Sequence, residues 1–266
     1  MINLQSIQQP EGIAPPRILI YGPEGIGKTS WAVSAPKPIV IFTEEGRGAL
    51  RVPHFPLARS FQDVLDMIAV LYSDPHDYQT VVLDSLDWLE SLIWVHVARS
   101  GGHASIEGFG YGKGYQYAVD RLRDILEGLD ALRNQRQMMV VLTAHSQVRR
   151  FDDPTSEPYD RFSLKLDKKA APVVTEWVDV LGFAAQEMII KREDVGFNKK
   201  AARALSVGGR VLYLSRCPAF DAKTRYPMPD VIPLKWEAFA TALQQSTSAA
   251  EQSISIAPVI QLEQGE

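Results

Sequence analysis

The stretch Gly22-Pro-Glu-Gly-Ile-Gly-Lys-Thr29 constrains this chain more than any other. An apolar run, Arg17–Tyr21, leads into it, and a short helical pattern follows from Ser30. A strand that ends in glycines and then starts a helix can wrap its backbone N–H groups around anionic oxygens. The helix N-terminus adds partial positive charge at the same point. Lys28 is then placed to bridge the β- and γ-phosphates of a nucleoside triphosphate, and Thr29 to ligate Mg²⁺. Gly22, Pro23, Glu24, Gly25, Ile26, Gly27, Lys28, Thr29 and Ser30 together form the expected cradle.

The rest of the chain supplies a fold around that loop. Arg17–Tyr21, Pro38–Phe42, Thr80–Asp84, Met138–Thr143 and Val178–Ala184 are short, almost wholly apolar runs, suited to parallel strands covered on both faces. Helical patterns separate them. Ser60-Phe-Gln-Asp63 reads as a capping box ahead of Phe61, Val64, Leu65, Ile68 and Leu71, and further helices are expected over Ser85–Ala98 and Tyr115–Arg133. This alternation predicts an α/β phosphate-loop core with a mainly parallel sheet and right-handed crossovers. Glu187–Arg192 and Gly209–Ser215 read as a C-terminal antiparallel hairpin joined by a basic stretch with Lys199, Lys200 and Arg203. Leu234–Leu243 reads as a last short helix. The expected organisation is a flexible N-terminal segment over 1–16, one domain over 17–245 and a flexible tail over 246–266, with the apolar Ser253–Ile260 able to dock.

Composition narrows the function classes. The chain has 266 residues, of which 45% are hydrophobic, so it can bury a full core. A single cysteine, Cys217, excludes an internal disulfide, and no apolar run reaches the ~20 residues of a membrane span. With a polar start that lacks a signal pattern, this predicts a cytoplasmic protein with no membrane partner. The net charge of −4 resides in residues 226–266, where Lys235 stands against Asp230, Glu237, Glu251, Glu263 and Glu266. A neutral body with local basic stretches neither requires nor forbids nucleic acid.

A phosphate site of this kind needs an acid at the end of a neighbouring strand. Asp84, after Thr80 and three apolar residues, is the candidate for holding Mg²⁺ or for capping the following helix. Ser85 follows it, so the glutamate that directly succeeds this aspartate in the broad AAA+ class is missing here. Glu44 and Glu45, in Thr43-Glu-Glu-Gly46 after the second strand, are the remaining candidates for polarising the attacking water. His145 and Gln147, after the fourth strand, are candidates for sensing the γ-phosphate, with a structural hydrogen-bonding role as the alternative.

From the phosphate loop to about Phe239 the chain resembles a phage-encoded group of RecA-like ATPases linked to single-strand annealing and recombination. Gly22–Thr29, Thr43–Gly46, Tyr111–Gly114, Tyr159–Lys169 with Glu176–Ala184, and Ala222–Pro233 carry the likeness in order. The resemblance implies a RecA-like core, ATP hydrolysis, single-stranded DNA, and head-to-tail homo-oligomers as a ring or filament, in host cytoplasm if phage-encoded. Separately, the apolarity of Ser253–Ile260 suits it to add a strand to a neighbouring subunit or to bind a single-strand-binding protein. Aligning Thr43–Gly46 with the family's Asp-Thr-Glu-Gly pattern assigns the base to Glu45, although Thr43 departs from it. Lys223 and Arg225 resemble the finger by which hexameric helicases reach a neighbour's γ-phosphate; residues two apart on an extended segment point the same way.

The resemblance places DNA contacts in two segments. Ser100–Tyr117 holds six glycines with Phe109, Tyr111, Lys113, Tyr115 and Tyr117, and aromatic faces can stack on bases. Ser146–Ala170 carries six cations against five acids. Lys113, Tyr115, Arg149, Arg150, Lys165, Lys168 and Lys169 are the candidate contacts, a solvated loop or plain packing being the alternative. Two rival functions remain at this level: a helicase-loader ATPase, and a non-catalytic nucleotide-dependent module that binds DNA or protein.

Overall fold

The computed structural model describes residues 3, 12–46, 48–153, 157–194 and 200–255, with backbone alone over 188–194, 200–207 and 249–255. Lys199 and residues 256–266 lie outside the described residues, and the Lys200 and Arg203 side chains are likewise not described.

Five parallel strands form the centre: β1 (Arg17–Gly22), β2 (Pro38–Phe42), β3 (Thr80–Asp84), β4 (Met139–Phe151) and, after the short β5 (Tyr159–Leu164), β6 (Val180–Asp194). Their order is β2-β3-β4-β1-β6, followed by antiparallel β7 (Lys200–Tyr213) and β9 (Val231–Pro233). The two-residue β8 (Lys223–Thr224) edges β6. β4 is inserted between β1 and β3. This insertion decides the site: Gly22 lies beside His145, Leu83 beside Leu142 and Asp84 beside Phe42. The carboxyl ends of four strands therefore meet on one edge, where ligands of open α/β sheets bind.

Strict alternation splits the strand residues between two cores. Leu19, Ile41, Leu83 and Leu142 face α2 (Phe61–Ser73), α3 (Leu86–Ser100) and α4 (Lys113–Gln135). Ile18, Val40, Val82 and Val141 face α1 (Lys28–Ala32) and α6 (Trp236–Ser255). The capping box before α2 is present, with Ser60 accepting from the Asp63 N–H and Asp63 returning to the Ser60 N–H. Among the described residues no helix is long and apolar enough to cross a membrane.

Three expectations need correction. Residues 146–170 are not one loop: β4 runs on to Phe151 and pairs antiparallel with β5 before α5 (Ala170–Trp177). Across this pair Arg150 stands opposite Asp160 and Arg149 opposite Arg161, and Phe151 faces Tyr159 with ring centroids 5.6 Å apart. The fifth strand and the first hairpin arm are one continuous β6, with a bulge in the pairing near Gln186. Finally, α6 continues to Ser255, past the expected boundary at 243–245. Trp236, Phe239, Ala242 and Ser246 keep one buried face in helical register. No Gly or Pro interrupts the chain from Trp236 to Ser255.

Candidate functional site: a phosphate cradle at the carboxyl edge of the sheet

The loop between β1 and α1 has the backbone its glycines were expected to provide. A side chain at Gly22 would meet the Ala184 carbonyl oxygen at 2.3 Å, and Gly27 has φ 109°, which L side chains rarely adopt. Lys28 is buried, and its Nζ donates to the carbonyls of Gly22 (3.1 Å) and Pro23 (2.9 Å). Burial lowers its pKa, against the pull of Asp84, Asp87, Glu44 and Glu24. Thr29 Oγ1 donates to Asp84 Oδ2 at 2.8 Å, and Thr143 donates to the other carboxylate oxygen. The hydroxyl and carboxylate oxygens side by side form a hard donor set that fits Mg²⁺. A cavity of about 440 Å³ opens above them, lined also by Glu44, Glu45, His145 and Arg210.

The two glutamates are not equivalent. Thr43 follows β2 with its N–H on the Asp84 carbonyl (2.9 Å), while its hydroxyl donates to the Ser85 carbonyl (2.7 Å) and accepts from the Ser85 N–H (2.9 Å). With Thr43 pinned, Glu44 is half-buried and Glu45 is exposed. Burial pushes the Glu44 carboxyl above the usual carboxylate range, opposed by the Ser85 hydroxyl and His145 and reinforced by Asp84 and Asp87. Glu44, the more buried of the two, therefore lines the cavity together with Glu45, the choice by register. Thr43, where the resemblance leads one to expect an acid, ties its hydroxyl to Ser85 instead.

His145 stands beside Gly22 and faces the cavity. Its N–H donates to Asp87 Oδ1 (3.0 Å), and its Nδ1 lies 2.9 Å from Asp87 Oδ2. The Asp87 hydrogen bond raises its pKa, against burial and Lys28. A raised folded value means that the pair's contribution to stability is complete below the ordinary histidine value of about 6.5 and is lost as pH rises through the folded one. We expect the urea stability difference between wild type and His145→Gln to be largest at acid pH and to shrink on this rise. A difference independent of pH would exclude the charged pair. Gln147 does not join the site; its Nε2 donates to the Leu164 carbonyl in the hairpin.

A family described as an AAA domain, AAA_24, matches residues 14–226. The chain belongs to this AAA domain family. No curated protein sequence matches it. Among solved structures, the crystal structure of the RadB recombinase is similar, with a TM-score of 0.41 and 17% identity over 77% of this chain and 83% of that chain.

Elsewhere in this AAA domain, Lys223 and Arg225 do point the same way: Lys223 Nζ and Arg225 Nη2 both donate to the Glu176 carbonyl, at 3.4 and 3.0 Å. Arg225 also pairs with Asp179 at 3.0 Å. Burial works against the Asp179 carboxylate, but hydrogen bonds from Arg17 hold it below the usual range. Arg17 begins β1 and Gly22 ends it, so the Lys-x-Arg segment sits at the opposite sheet edge from its own cradle.

The DNA candidates divide. Tyr111 is fully exposed, and Lys113 and Lys168 are exposed nearby, where Lys169 Nζ donates to the Gly112 carbonyl at 3.0 Å. Tyr115 is not free to stack: its hydroxyl donates to Glu107 (2.7 Å), and its ring meets Trp94 edge-on at 5.3 Å. Arg149 donates to the Leu166 carbonyl (2.8 Å), and Arg150 lies 3.8 Å from Asp152. Lys165 is exposed beside a cleft that also takes in Trp88 and Arg149. Arg161 is buried against Asp221 at 2.6 Å. Reading the sequence missed Asp87, Thr143 and Arg210. Asp87 is an acid in the first turn of α3 and Thr143 ends the apolar run of β4, both faint signals. Nothing local marks Arg210.

Proposed function

We propose that this chain hydrolyses ATP with Mg²⁺, assembles head to tail, and binds single-stranded DNA in recombination or annealing of the phage type. The observation that carries the reading is the Thr29–Asp84 hydrogen bond beside Lys28, with Glu44 and His145 turned to the same cavity. Thr29 and Asp84 would hold the Mg²⁺, which neutralises charge on the phosphates. Lys28 and the loop amides hold the phosphates. Glu44 is the base: its raised affinity for a proton suits it to draw one from the attacking water. His145 contacts the γ-phosphate side. Lys223 and Arg225 act on a neighbouring copy's nucleotide, exchanging Asp179 for phosphate oxygens.

A short polar route favours coupling to DNA. Asp87, bonded to His145, lies one turn before Glu90, which accepts the Asp167 N–H at 2.9 and 3.1 Å, next to Lys168 and Lys169. Tyr111, Lys113, Lys168 and Lys169 are the preferred DNA contacts, with Lys165 and Arg149 along the adjoining cleft. ATP turnover per subunit, measured across protein concentration with and without single-stranded DNA, tests the whole reading. The rate is expected to rise with concentration and again with DNA. A rate indifferent to both would remove the intersubunit and DNA parts together.

A further inference from the structure

The last cation facing the cradle comes from outside the strand-helix core. Arg210 lies on β7 and is held on both sides: β7 pairs with β6 at Gln186↔Arg210, and the Arg210 carbonyl accepts the Leu234 N–H at 2.8 Å. Its guanidinium passes over β6 to the phosphate loop, where Nη1 lies 3.0 Å from the position a side-chain carbon would take at Gly27. It lines the same cavity as Lys28, Thr29 and Glu44. The pairing slips by two residues just before it, so that Gln186 faces Arg210 while Met188 faces Ser206. Gly208 sits in this bulge, where a side-chain carbon would stand 2.4 Å from Glu187 Cβ. Bulges commonly re-aim the side chains next to them.

The charge environment sets Arg210 apart from the other cations. Arg225 is paired with Asp179, Arg161 with Asp221 and Arg17 with both Asp179 and Asp130. Among the described residues Arg210 has no carboxylate within ion-pair distance and no side-chain hydrogen bond, although Glu24, Glu44, Glu45 and Asp84 line the same cavity. An exposed guanidinium on a fixed strand, beside Gly27 of the phosphate loop and left without an anion, is complementary to phosphate oxygens, which it can grip with two parallel N–H bonds.

We infer that Arg210 is a phosphate-binding residue supplied in cis, closing over the nucleotide's phosphates from the C-terminal hairpin, opposite Lys28. This rests on the ATP-binding reading above and deepens it. The positive charge needed for binding is then complete within one subunit, and the neighbour's Lys-x-Arg segment is left for turnover.

The test is calorimetric titration of MgATP into wild type, Arg210→Ala, Arg210→Lys and Lys28→Ala, with thermal unfolding of each protein alongside. Arg210→Ala is expected to weaken MgATP roughly 10- to 100-fold with an unchanged melting temperature. Arg210→Lys is expected to restore part of the loss, because an ammonium keeps the charge without the fork. Affinity within twofold of wild type in Arg210→Ala, with binding lost in Lys28→Ala, would overturn the role of Arg210 alone. Unchanged affinity in both variants would overturn the phosphate cradle itself and Arg210 with it.

Discussion

Glu44→Gln is expected to reduce ATP turnover by roughly 10²- to 10⁴-fold, the range typical of losing a positioned general base. MgATP affinity should change little. The amide keeps the shape and hydrogen-bonding reach of the side chain but cannot accept a proton from water. Glu45→Gln is the matched control and should retain most of the wild-type rate, because that side chain is exposed. The same base predicts an acid limb in the pH profile. Glu44 must be ionised to act, and burial raises its pKa, so turnover should fall as pH drops through a value above the ordinary carboxylate range. Single-turnover assays of both variants at several pH values decide the matter. An inert Glu45→Gln beside an active Glu44→Gln would return the role to the register-based choice.

Phe239→Ala should destabilise the fold by about 3–5 kcal/mol, as for other fully buried aromatic truncations. Phe239 is 0% exposed and packs edge-on against Trp31 at 5.2 Å and with tilted rings against Trp236 at 5.6 Å. Trp31 belongs to α1, the helix that follows the phosphate loop. The cavity would therefore loosen the footing of Lys28 and Thr29, and nucleotide affinity should fall even below the melting transition. Urea unfolding gives the stability and calorimetry the affinity. A loss under 1 kcal/mol would mean that α6 does not seal this face.

Local chemistry fixed much of what was legible beforehand. The five apolar runs became the five parallel strands, because residues covered on both faces leave no polar alternation and read the same in any context. The cradle and the Asp84 partner were legible for a related reason: glycines, lysine and a strand-ending acid are requirements of local geometry. The 146–170 segment was not, because opposite charges such as Arg150 and Asp160 read as a polar loop until antiparallel pairing sets them face to face. The start of α6 packs through Trp236 and Phe239 on Trp31, a residue some 200 positions away, and no local signal marked its run on to Ser255.

The sequence by itself determined that a phosphate-binding loop joins a strand to a helix in a mainly parallel sheet, since each of those features depends on neighbours only a few residues apart. Tertiary structure alone decided which glutamate is the more buried and which arginine overlooks the loop. Glu44 is half-buried next to Thr43, which is tied to Ser85, and Arg210 reaches Gly27 because β7 lies one strand beyond β6. Both outcomes come from contacts between segments far apart in the chain, which no short-range pattern encodes.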